Sequence, residues 1–230
     1  MSKHQQFWNK EYRTGAHLQL SDEPAEDLMK FTRWVERQEG RRQLNVTGRV
    51  LDLGCGNGRN LIYLAQTYGV RGVGYDISNE AIKQAIAASH DMPIEYKVRS
   101  IDIPLDLPDK SVNLVLDMMT SHFLKGSERE SLLQETLSVL RPGGWLFLKT
   151  FLADEDLHVA ELLKTAPADE PGAYIHPKMG VYEYVYSEVA LLDFFAPHFQ
   201  VHKLERSFKH IKDGRAFKRR TISAYLQKPF

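Results

Sequence analysis

The chain has 230 residues, 43% hydrophobic and 26% charged, with 30 basic residues balanced by 30 acidic ones and a single cysteine. Such a length and composition suit one globular domain with a sizeable core and exclude a disordered chain, and the balanced charge argues against a protein that grips DNA or RNA through its phosphates. One cysteine excludes an internal disulfide and suits a reducing, cytoplasmic setting; no apolar run reaches membrane-span length and the N-terminus lacks the apolar core of a signal peptide, so neither DNA nor a membrane is an expected partner.

In chain order, residues 1–40 begin with an aromatic segment, FWNKEYRTG at 7–15, followed by an amphipathic helix over AEDLMKFTRWVERQ, 25–38. Strands and helices then alternate. RVLDLG, 49–54, is a short apolar run that stops at glycine, as a buried parallel strand does. NLIYLAQTYG, 60–69, has helical spacing and a glycine stop. A second strand, VRGVGYDIS at 70–78, leads into a helix over 78–90 with Ser78 as its N-cap. IEYKVRSID, 94–102, is the third strand and SVNLVLDMM, 111–119, the fourth. A helix over 127–140 is stopped by RPGG, and WLFLKTF, 145–151, is the fifth strand. This alternation predicts an α/β fold, a parallel sheet with helices on both faces. Beyond it come a helix over 154–164, a long Tyr-, Pro- and Gly-rich loop over 165–186, and a helix over 187–199. Two strands, FQVHKLERSF and RRTISAYLQK, complete a hairpin around KDGR at 212–215.

The stretch VLDLGCGNGRN, 50–60, packs three glycines into five positions between a strand and a helix. That context exposes backbone N–H groups at a helix N-terminus with no Cβ in the way, as a nucleotide-like ligand requires. The spacing is G-x-G-x-G (Gly54, Gly56, Gly58), where dinucleotide binders show G-x-G-x-x-G. Led by Asp52, the motif resembles the first motif of class I S-adenosylmethionine-dependent methyltransferases. GYDIS with Asp76, SIDI with Asp102 and Ile103, and LRPGGWLFL resemble that family's later motifs in the same order. The resemblance implies a Rossmann-like, doubly wound sheet of seven strands, the last antiparallel and inserted between the fifth and sixth. It also implies S-adenosylmethionine as cofactor. Asp76 would then accept from the ribose hydroxyls, Asp102 from the adenine amino group, and Ile77 and Ile103 would sandwich the ring. Asp52 either receives the methionine amino group through water or fixes the turn. Arg59 and Asn60, which begin the next helix, read as surface and cap residues, with contact to the cofactor as the alternative.

Methyl transfer is a displacement at carbon with a neutral thioether leaving, so the enzyme aligns the nucleophile, excludes water and, for a protonated nucleophile, accepts its proton. The acceptor is expected near the end of the fourth strand, LVLDMMTSHFL. Asp117 stands where family members place an acidic or polar residue whose backbone carbonyl meets the cofactor amine, and His122 is the candidate base, with capping or packing as its alternative role. An Asn/Asp-Pro-Pro-Tyr/Phe motif for adenine amines is absent; Asp-Met-Met-Thr occupies its place. Cys55 lies within the glycine turn and reads as a small filler. Trp8 and Tyr12, in a segment that looks like that of tellurite-resistance- and thiopurine-type methyltransferases, and Tyr182, in the 165–186 loop, are candidate acceptor contacts. The histidines show no metal-ligand spacing, so no metal is expected.

These readings place one domain over 1–230, with a helical lid at 1–47, a cofactor-binding core at 48–151 and an acceptor-side loop, helix and hairpin at 152–230. The leading function is methylation of a small molecule. Methylation of protein or RNA, and cofactor binding without catalysis, remain the alternatives.

Overall fold

A computed structural model describes residues 3–15, 20–208, 210–212 and 215–230. Helices α1 (Lys3–Thr14) and α2 (Glu26–Glu39) precede strand β1 (Arg49–Leu53). Then follow α3 (Arg59–Tyr68), β2 (Arg71–Asp76), α4 (Asn79–Ala88), β3 (Ile94–Val98) and β4 (Val112–Met118). A 3₁₀ turn at Ser121–Phe123 leads to α5 (Gly126–Val139) and β5 (Leu140–Phe151). The remaining elements are α6 (Leu157–Thr165), β6 (Ala173–Ile175), β7 (Tyr182–Tyr184), α7 (Glu188–Phe195), β8 (Gln200–Arg206), β9 (Ile211–Lys212), β10 (Arg215–Ala216) and β11 (Thr221–Gln227).

Seven strands form one sheet in the order β3-β2-β1-β4-β5-β11-β8. β1 to β5 pair parallel, and β11 runs antiparallel between β5 and β8. This is the expected doubly wound, Rossmann-like sheet with its last strand inserted between the fifth and sixth.

Side-chain alternation divides the core. Leu51, Leu53, Val115, Leu146, Leu148 and Ile222 point to one face, packed against Leu132, Leu133, Leu191 and Phe195 of α5 and α7. Val50, Leu114, Leu116, Trp145, Phe147 and Tyr225 point to the other, against α2 and α3. In α2, Leu28, Phe31 and Val35 recur on one stripe and are buried. Phe31 stacks on Phe147 at 4.7 Å and meets Tyr225 edge-on at 5.0 Å.

Helix ends follow the sequence signals. Ser78 Oγ accepts from the Ala81 N–H at 3.2 Å, and α3 runs between left-handed Gly58 and Gly69. Three local readings change. Arg141–Gly144 join β5, whose register slips opposite Val112–Leu114, so the proline-glycine pair bends a strand and does not precede one. The 165–186 loop contains a two-stranded ribbon, β6–β7, in which Tyr174 and Tyr182 are buried, and Tyr186 just beyond it is buried too. The final hairpin does form from β8 and β11, but residues 207–220 make a longer excursion holding a second ribbon, β9–β10; residues 213 and 214 of the expected KDGR turn lie outside the described residues.

Candidate functional site

The sheet order reverses between β1 and β4, and ligands of doubly wound sheets bind in the crevice at that switch point, beyond the carboxyl ends of the strands. A cavity of about 670 Å³ lies there. The glycine turn gives Gly54, Cys55 and Gly56; β2 ends in Asp76 and Ile77; the loop after β3 adds Ile101 and Asp102; the residues after β4 add Met119 and Thr120. His4, Trp8 and Tyr12 of α1 close the opposite side.

Each glycine of the turn has a positive φ (69°, 57° and 79°) and a close neighbour. A Cβ on Gly54 would stand 2.4 Å from the Thr120 side chain, one on Gly56 2.3 Å from the Tyr12 hydroxyl, and one on Gly58 2.4 Å from the Tyr96 hydroxyl. Gly54 and Gly56 therefore hold the cavity wall thin, while Gly58, outside the lining, packs α3 against β3.

Asp76 is the hub. Its carboxylate accepts from the Gly56 N–H at 2.9 Å and the Ser78 N–H at 2.7 Å. Burial pushes its pKa up to about 6, against the stabilising pull of those two N–H groups. Asp52, 1% exposed at the end of β1, is pushed well up by burial and then by the neighbouring Asp76 charge; its Oδ2 has no partner among the described residues. Asp117, buried at the end of β4, is raised by burial, and Ser121 N–H donates to its Oδ1 at 3.0 Å. Burial raises all three carboxyls on these adjacent strand ends, and a cation in the cavity would favour their ionised forms. Among the lining bases Lys149 is paired with Asp27, whereas Arg59, whose Nη1 donates to the Glu23 carbonyl at 2.9 Å, keeps its charge and partly lowers the Asp52 pKa.

The N-terminal region is fastened over this turn. Asn9 Oδ1 accepts from Ser78 Oγ at 2.9 Å and from the Glu80 N–H at 3.2 Å, and Gln84 Nε2 donates to the Tyr12 carbonyl at 2.9 Å. Asn57 Nδ2 donates to Asp22 at 2.9 Å, and Asn60 Oδ1 accepts from the Ala25 N–H at 3.1 Å. Thus the segment read as a lid divides: α1 walls the cavity, whereas α2 packs on the sheet. Arg59 and Asn60 hold the N-terminal segment, as well as lining the cavity.

Trp8 and Tyr12 both line the cavity, and Trp8 meets Phe123 edge-on at 5.2 Å. Other expected contacts are placed elsewhere. Ile103 is 48% exposed and outside the lining; Ile101 supplies the apolar surface there. Asp52 and Asp117 sit beneath the lining. Tyr182 is buried in the β6–β7 ribbon, where its hydroxyl donates to Glu170. His122 is 1% exposed, with its ring 4.0 Å from that of Phe123 and 5.1 Å from that of Phe151. Neither ring nitrogen has a partner among the described residues; burial, then the Arg219 charge, lowers its pKa to about 3. It stands one layer behind Phe123, outside the cavity. Asn9, Asn57 and Lys149 were not singled out from sequence. Asn9 carried a faint signal, a small polar residue amid the aromatics of FWNKEY; the other two carried none.

Among the described residues no cluster of His, Cys, Asp or Glu could hold a metal ion, and no helix is long and apolar enough to cross a membrane.

Residues 50–144 match a family model described as a methyltransferase domain. The chain is 30% identical over 139 residues to the 27-O-demethylrifamycin SV methyltransferase of Amycolatopsis mediterranei, covering 59% of this chain and 50% of that protein. It is 29% identical over 137 residues to the sarcosine/dimethylglycine N-methyltransferase of Halorhodospira halochloris, covering 58% and 48%. The chain thus spans about half the length of these curated relatives. The 1,6-didemethyltoxoflavin-N1-methyltransferase of Burkholderia thailandensis, solved with 1,6-didemethyltoxoflavin and S-adenosylhomocysteine, superposes with a TM-score of 0.70 at 17% identity, over 99% of this chain and 88% of that one. A SAM-dependent methyltransferase of Methanosarcina mazei gives 0.68 at 21% identity, over 83% and 96%. The fold is the Rossmann-like methyltransferase fold.

Proposed function

We propose that this chain, with a methyltransferase domain matched over 50–144, transfers the methyl group of S-adenosylmethionine to a small molecule. The observation that carries the reading is the convergence of the G-x-G-x-G turn and Asp76 on one cavity walled by α1. The residues fit the cofactor. Each Asp76 oxygen accepts one backbone N–H and keeps a further lone pair for a ribose hydroxyl. Ile77 and Ile101 offer apolar surface to the adenine ring, with Asp102 beside them. The unpartnered Asp52 oxygen and the three buried carboxyls suit a ligand carrying sulfonium and ammonium charge. A cavity of about 670 Å³ is within the usual range for a cofactor site.

When bound, the cofactor supplies an electrophilic methyl on a positively charged sulfur. The protein's task is to hold, orient and exclude water. Asp76 and the turn fix the ribose end. Trp8 and Phe123 form an aromatic wall on the acceptor side. Tyr12, whose phenol burial keeps neutral, remains a hydrogen-bond donor at the turn. His122 acts in this reading as packing that positions Phe123. The α1 wall favours a small acceptor over a protein or RNA; kinship to the tellurite-resistance and thiopurine types, and a cytoplasmic setting suited to the single cysteine, complete the proposal. The relatives named above are a 27-O-demethylrifamycin SV methyltransferase and a sarcosine/dimethylglycine N-methyltransferase.

Calorimetric titration tests the reading. S-adenosylhomocysteine should bind and NAD should not. Tight NAD binding without S-adenosylhomocysteine binding would overturn it.

A further inference from the structure

The excursion between β8 and β11 has features that methyl transfer does not use. Residues 207–220 hold six basic residues and one acidic residue, in a chain of zero net charge; of these, Arg219 and Arg220 are paired at the foot with Glu183 and Glu155. Within it, β9 and β10 set Lys212 directly opposite Arg215. Like charges in that position repel, and neither side chain has an ion pair with a described residue. Three large apolar side chains stand in solvent on the same excursion: Phe208 is 91% exposed, Ile211 57% and Phe217 53%. Leu157, at the foot of the excursion, is 55% exposed.

The foot itself is anchored. His210 is buried; its Nε2 accepts from the Leu157 N–H at 3.3 Å, and its Nδ1–H donates to the Lys218 carbonyl. The Arg220 N–H donates to Asp156 at 2.6 Å. An anchored base therefore presents a basic and apolar tip.

Two separate costs meet on this excursion: apolar surface in water, and like charges set opposite each other without an ion-pair partner among the described residues. We infer that the β9–β10 excursion docks on an anionic lipid surface, which relieves both. Phe208, Ile211 and Phe217 enter the boundary between headgroups and acyl chains, while Lys212, Arg215 and Lys218 lie among the phosphates. Single-stranded nucleic acid would neutralise the charges and stack on Phe208 and Phe217 but would leave the aliphatic Ile211 and Leu157 uncovered. The expectation of no membrane partner rested on span length, and surface docking requires no span.

The position gives this contact a use. The excursion returns to the sheet at Thr221, paired with Phe151 at the carboxyl end of β5; two residues earlier in β5, Lys149 lines the cavity. Docking therefore turns the cavity's end of the sheet toward the lipid, where an amphiphilic acceptor would be held. The docking itself does not depend on the proposed reaction.

The test is co-sedimentation of the full chain with vesicles of phosphatidylcholine alone, and with about a third phosphatidylglycerol. Binding should require the anionic lipid and weaken with salt. Lys212→Gln with Arg215→Gln should weaken it about 30-fold, from about 1 kcal/mol per basic residue. Phe208→Ser with Phe217→Ser should weaken it at least tenfold in high salt, where charge contributes least. Unchanged thermal midpoints establish that the variants fold. The inference fails if the anionic vesicles are not bound, if the two vesicle types bind equally, if neither double variant weakens binding, or if single-stranded RNA is bound while vesicles are not.

Discussion

In the proposed reading Asp76 links cofactor binding to pH. In the described structure its carboxyl is buried and its pKa is pushed up to about 6, although Gly56 and Ser78 both donate to it. A ribose held there adds donors to the ionised form, and the positive charge of S-adenosylmethionine adds attraction; both lower the pKa in the complex. Binding therefore favours the deprotonated protein and releases a proton near pH 6. The sign is fixed: an acid whose pKa is raised in the free state and lowered in the complex binds more weakly as pH falls. At pH 5 roughly nine in ten free molecules carry the proton on Asp76. Affinity should accordingly fall about tenfold from pH 7 to pH 5, about 1.4 kcal/mol. S-adenosylhomocysteine, which lacks the sulfonium, retains the ribose part of the effect. Titration calorimetry at both pH values, in buffers of different ionisation enthalpy, measures the affinity and the proton count together. Asp76→Asn serves as control and should flatten the dependence. An affinity constant between pH 5 and 7, or an equal slope in the Asn variant, would refute the role given to Asp76.

Other perturbations follow from the same geometry. Asp76→Ala should weaken S-adenosylhomocysteine binding by about 2–4 kcal/mol, roughly 30- to 1000-fold, by removing charge-assisted bonds to both ribose hydroxyls; calorimetry reads it directly. Gly56→Ala places a methyl 2.3 Å from the Tyr12 hydroxyl but 3.3 Å from its Cζ, so cofactor affinity should drop at least tenfold and recover in part when Tyr12→Phe is added. Failure of that rescue would mean that the strain of a positive φ, about 1–2 kcal/mol, dominates. Phe31→Ala empties a site enclosed by Phe147, Trp145 and Tyr225 and should cost about 3–5 kcal/mol in denaturant unfolding. Asn9→Ala removes the acceptor shared by Ser78 Oγ and the Glu80 N–H, so amide exchange in α1 should quicken while the β5–β11 core is unchanged.

Local pattern alone determined much of this protein. Apolar runs ending at glycine located β1, Ser78 marked the start of α4, and the G-x-G-x-G turn with Asp76 and Asp102 pointed to the cavity that the fold forms. Such signals are short-range: strand and helix periods, caps and left-handed glycines are set by neighbours within a few residues. Only the tertiary structure decided what each glycine faces, because Thr120, Tyr12 and Tyr96 reach Gly54, Gly56 and Gly58 from distant parts of the chain. For the same reason His122 and Tyr182, plausible at a site by residue type, are packed behind it, and Ile101 takes the wall expected of Ile103. Asn9 reaches Ser78 across 69 residues, a contact that leaves no period in the sequence. Which side chain lines a cavity depends on how separate elements pack, and composition and spacing carry that information only when every element's register is already known.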